Sequence, residues 1–98
     1  MKTLRDFEKL ARNNDITVVY CDCTNKPLKA FIIIVDGKFY IMIDSNAPLE
    51  EKRELLAYEL AHFFTNTFYC VNDSEEEKIN KENIADAYMR KELLKDEK

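Results

Sequence analysis

Leu55-Leu56-Ala57-Tyr58-Glu59-Leu60-Ala61-His62-Phe63-Phe64 is the stretch on which the fold turns. Wound as an α-helix at about 100° per residue, it sets Leu56, Leu60, Phe63 and Phe64 on one broad arc, which Ala57 and Ala61 extend. A helix that is apolar on nearly every side is a buried central helix, so the rest of the chain must pack around it. Only Glu59 and His62 can carry charge in this window, and they lie close together with Tyr58 beside His62. An unpaired buried charge is costly, so these groups require a partner or a cleft. Their spacing is that of H-E-x-x-H, in which two histidines one turn apart hold zinc and the glutamate activates water. Tyrosine stands here in the first histidine's place, and the chain has no second histidine to substitute.

Outward from that helix, Asp44-Ser45-Asn46-Ala47-Pro48 predicts a polar cap followed by proline in the first turn, with the helix running to about Asn66. Upstream lie three β-rich runs, Ile16 to Tyr20, Leu28 to Val35 and Lys38 to Ile43. Asp36-Gly37 between the last two is a strong hairpin signal. The unbroken run Phe31-Ile32-Ile33-Ile34-Val35 predicts a central strand buried on both faces. Thr3 to Arg12 carries Leu4, Phe7, Leu10 and Ala11 at helical spacing, and Asn13-Asn14-Asp15 stops it. After a break at Asn72-Asp73-Ser74, with Ser74 as cap, a final helix begins among Glu75, Glu76 and Glu77. The expected class is α+β. It is a single domain over residues 1–98, with a small three-stranded antiparallel sheet packed by an N-terminal helix, the central motif helix and a C-terminal helix.

The 98 residues supply one core, and 46% apolar with 35% charged residues is the balance of a globular chain. A net charge of −4 without a basic cluster argues against direct nucleic-acid binding. The longest apolar runs, Phe31 to Val35 and Leu60 to Phe64, are too short for a membrane span. Met1-Lys2-Thr3-Leu4 leads straight into a charged amphipathic segment instead of a secretory leader, and three cysteines make no disulfide framework. Both points favour the cytoplasm. Cys21-Asp22-Cys23 has no second pair and no nearby histidine, so it predicts two small side chains at a strand end, one on each side of the sheet. Cys70 predicts ordinary packing.

The last helix carries a second anomaly. Ile79, Ala85, Met89 and Leu93 make a narrow apolar stripe, with Glu82 inside it and Asp86 at its edge. Two acids within one turn of an apolar face call for a functional reading. If the stripe packs on the central helix, Glu82 comes within reach of His62.

Taken in order, Ile41-Met42-Ile43-Asp44, Leu56-Ala57-Tyr58-Glu59-Leu60-Ala61-His62 and Glu82-Asn83-Ile84-Ala85-Asp86-Ala87-Tyr88 resemble the ImmA/IrrE metallopeptidase-like domains of phages and mobile elements. The resemblance covers nearly the whole chain and implies a minimal zincin-like domain. It places Glu59 as general base, His62 and Glu82 as zinc ligands, Tyr58 at the other ligand position and Asp86 in support. The implied role is to inactivate a transcriptional repressor by cleavage. Tyrosine binds metal well only as phenolate, and forming one at pH 7 from a pKa near 10 costs about 4 kcal/mol. Two expectations follow. The first is a regulatory domain that binds a repressor or host regulator, with weak or lost catalysis. The second is an active zinc-dependent endopeptidase with Glu59 as base.

Overall fold

Thr3 closes a capping box with Asp6, and helix α1 (Leu4–Asn13) follows with Phe7 and Ala11 buried. The computed structural model describes residues 2–95. Asp15, at φ 58°, turns the chain into strand β1 (Ile16–Cys21). Strands β2 (Ala30–Val35) and β3 (Lys38–Asp44) form the expected hairpin. Its turn residues Asp36 and Gly37 both have positive φ, at 51° and 77°, the geometry that matches strand twist.

β1 joins the other edge of β3 and runs parallel to it, with Ile16 opposite Phe39 and Cys21 opposite Asp44. The order is β1-β3-β2 and the sheet is mixed, which corrects the expected antiparallel sheet. The reason is geometric. The tight hairpin leaves β3 one free edge, and a strand entering there in the direction of β1 must be parallel. The Ser45 N–H holds that end by donating to the Cys21 carbonyl at 2.8 Å.

The Phe31 to Val35 run is corrected as well. β2 is an edge strand, and Ile33, Ile34 and Val35 are exposed. β3 takes the centre because its alternating Ile41 and Ile43 fit the core and are fully buried. The Cys21 and Cys23 sulfurs lie 3.7 Å apart instead of on opposite sides, since residues two apart along an extended chain project to the same face. Cys70 is exposed in the loop after the second helix, not packed.

Helix α2 (Leu49–Thr65) crosses the centre of the molecule, burying Leu56, Ala57, Leu60 and Ala61 against Phe7, Ile41 and Ile43. Each large side chain buried this way contributes about 1.5–3 kcal/mol. Pro48 occupies the cap position without a side-chain bond, so the expected polar cap is absent. Asp44 serves the loops instead, its Oδ1 accepting the N–H of Cys23 at 3.2 Å and of Asn46 at 3.0 Å. Buried Arg53 fastens α1 to α2, its Nε donating to the Lys2 carbonyl at 2.6 Å. Ser74 caps helix α3 (Glu75–Tyr88) in a capping box with Glu77, and Met89–Leu93 continue it as a π-helical turn. Ala85, Met89 and Leu93 dock into the core, while Ile79, expected in the same stripe, is exposed. No helix among the described residues is long and apolar enough to cross a membrane.

Candidate functional site

α2 stops because Asn66 adopts a left-handed conformation at φ 54°. The Thr67 N–H then donates back to the His62 carbonyl at 3.0 Å, which folds the chain over the helix end. This reversal places Thr67 against the imidazole. Nδ1 of His62 lies 2.9 Å from the Thr67 carbonyl oxygen and 2.9 Å from its Oγ1. A carbonyl only accepts, so Nδ1 carries the proton and Nε2 is left as a bare lone pair. His62 is 1% exposed, and its Nε2 has no hydrogen-bond partner among the described residues. Burial pushes the imidazole below its ordinary pKa, so the ring is neutral at pH 7.

Glu59, one turn earlier on α2, is 7% exposed. Burial alone pushes its carboxyl up to about 7, with no donor or cation acting against it. Tyr58 meets the His62 ring edge-on with centroids 4.7 Å apart, and the Tyr69 ring lies 5.1 Å from it. The Tyr69 hydroxyl donates to Glu82 Oε1 at 3.2 Å. Burial raises both phenols above their ordinary pKa, so both keep their protons at neutral pH.

Tyr58, Glu59, His62 and Glu82 all line one cleft of about 380 Å³. Its opposite wall is β2, where Ala30 to Ile34 contribute in unbroken succession. Side chains alternate between faces along a strand, so consecutive lining residues mean that the strand's own edge faces the cleft. Phe68 and Tyr69 line it as well, and among the described residues no lysine or arginine does. Asp86 stays outside, pairing with Arg90 Nε at 3.0 Å, though its charge is felt at Tyr58. A slightly larger hollow, about 420 Å³, borders α1 near Lys9 and Lys95 but contains neither buried acid nor imidazole.

Zinc enzymes use three protein donors and keep a fourth position for water or substrate. The His62 lone pair meets the requirement for one donor. Tyr58 is a neutral phenol, Glu82 is engaged by Tyr69, and among the described residues no three His, Cys, Asp or Glu side chains converge. The described residues thus offer zinc one ready imidazole, short of a three-donor set. Thr67, Tyr69 and the β2 wall escaped the sequence reading, and the one local signal for them was Asn66, a residue that tolerates the left-handed helix end. No family model, no curated protein and no solved structure matches the chain.

Proposed function

We propose that this chain is a metallopeptidase-like regulatory domain of the ImmA/IrrE kind that acts on a transcriptional repressor or host regulator by binding it, with catalysis weak or lost. The observation that carries the reading is the cleft between α2 and the free edge of β2. An unpaired strand edge offers a row of N–H and C=O groups to an extended segment, which adds itself as a further strand. Ile33, Ile34 and Val35 give that edge exposed apolar side chains to cover. The single imidazole and the neutral phenol of Tyr58 weigh against metal-dependent cleavage. Metal analysis of protein purified without added zinc tests this directly. We expect well under one equivalent; near-stoichiometric zinc that disappears in His62→Ala would overturn it.

A second reading, an active zinc-dependent endopeptidase with Glu59 as general base, is favoured by one observation. The Glu59 carboxyl, held near 7, has the proton affinity that general-base work at neutral pH requires. Cleavage of a cognate repressor that is lost in Glu59→Gln would establish this reading. Cleavage unchanged in that variant would remove Glu59 from any mechanism.

A further inference from the structure

The floor of the cleft is rich in acceptors and poor in donors. Glu59 is a buried carboxyl with no donor or cation against it among the described residues, and the buried Nε2 of neighbouring His62 has no partner there either. Glu82 adds a second carboxylate at the rim. The nearest cation of the α2–α3 region is already committed. Lys81 Nζ lies 2.7 Å from Asp73 Oδ2 and 2.7 Å from the Phe68 carbonyl oxygen. Buried polar groups in folded proteins are satisfied almost without exception, so such a floor calls for a partner that brings donors.

We infer that the cleft takes the cationic side chain, lysine or arginine, of an extended protein segment laid along β2, an inference that rests on the binding reading above. Three features select a cation over a neutral donor. Two acidic side chains, Glu59 and Glu82, line one cleft that no lysine or arginine lines among the described residues, so a positive charge is the complementary group. The walls are apolar and aromatic, with Phe31, Tyr58, Phe68 and Tyr69 among the lining, and aromatic rings attract ammonium and guanidinium groups. Glu59 sits deep, so the donor must arrive on a long apolar stem, as in both basic side chains. The strand edge fixes the segment's backbone, and alternation along it sends every second side chain toward the same face.

Fluorescence anisotropy with two labelled heptapeptides tests the inference. Both alternate valine and threonine; one carries a central arginine, the other citrulline, which is neutral and nearly the same size. The arginine peptide is expected to bind about tenfold more tightly, the margin between charged and neutral hydrogen bonds. That margin should shrink to about threefold or less in Glu59→Gln, and also in Glu82→Gln, whose exposed position makes misfolding no explanation. Equal binding of the two peptides overturns the cation inference and leaves strand pairing standing. Binding of neither peptide at about 1 mM overturns both.

Discussion

Tyr58 and Glu59 are adjacent on α2 but set different properties of the domain. Tyr58 is a neutral phenol packed edge-on against the His62 imidazole. Replacing it, Tyr58→His, puts two imidazoles one turn apart, and zinc affinity measured by calorimetry should rise at least about tenfold. No gain would mean that the position does not face the cleft. Glu59 has an ordinary carboxyl pKa of 4.5 when unfolded and about 7 when folded. Folding therefore favours the protonated form, and the stability this allows is fully present below about pH 4.5 and lost as pH rises through about 7. Glu59→Gln cannot ionise. It should match the parent in urea unfolding near pH 4 and exceed it near pH 8, by at most about 3 kcal/mol. Equal stability near pH 8 would mean that the carboxylate is solvated or paired.

At the scale of elements, the helices were legible and the strand pairing was not. Thr3, Asn14 and Ser74 mark helix ends by local chemistry, since a cap depends on a few neighbouring residues. Pairing depends on the whole assembly. The apolar content of Phe31 to Val35 satisfied a central strand on paper, yet the chain keeps that run at an edge, where it walls the cleft. A run that breaks the burial pattern in this way is where a binding surface is expected. Asp44 is the joint of the sheet's end, and its two backbone bonds give a direct check. Asp44→Ala leaves the Cys23 and Asn46 N–H groups without their acceptor and should cost about 1–3 kcal/mol by chemical denaturation. An unchanged midpoint would show the loops held by other contacts, such as the bond from Asn46 Nδ2 to Asp22 Oδ1.

Over the whole molecule, α2 is both the core and the cleft wall. Leu60 is fully buried among residues of α1, β3 and α3, while Glu59 and His62 beside it open onto β2. Leu60→Ala should therefore cost about 2–5 kcal/mol and loosen the cleft with the core, read as a lowered unfolding midpoint. Helical spacing alone brought Tyr58, Glu59 and His62 together, and the apolar stripe of α3 brought Glu82 to the same cleft. Thr67 and Tyr69 arrive through a chain reversal that depends on one left-handed residue, and periodicity does not encode that.

The central claim is that His62 holds a neutral imidazole whose tautomer is fixed by Thr67. Because the chain has a single histidine, a long-range proton–nitrogen NMR spectrum contains one imidazole. At neutral pH the account predicts a protonated Nδ1 and a bare Nε2, both unmoved by one equivalent of zinc. A protonated Nε2, or an Nε2 resonance carried to a metal-bound position by equimolar zinc, would contradict it.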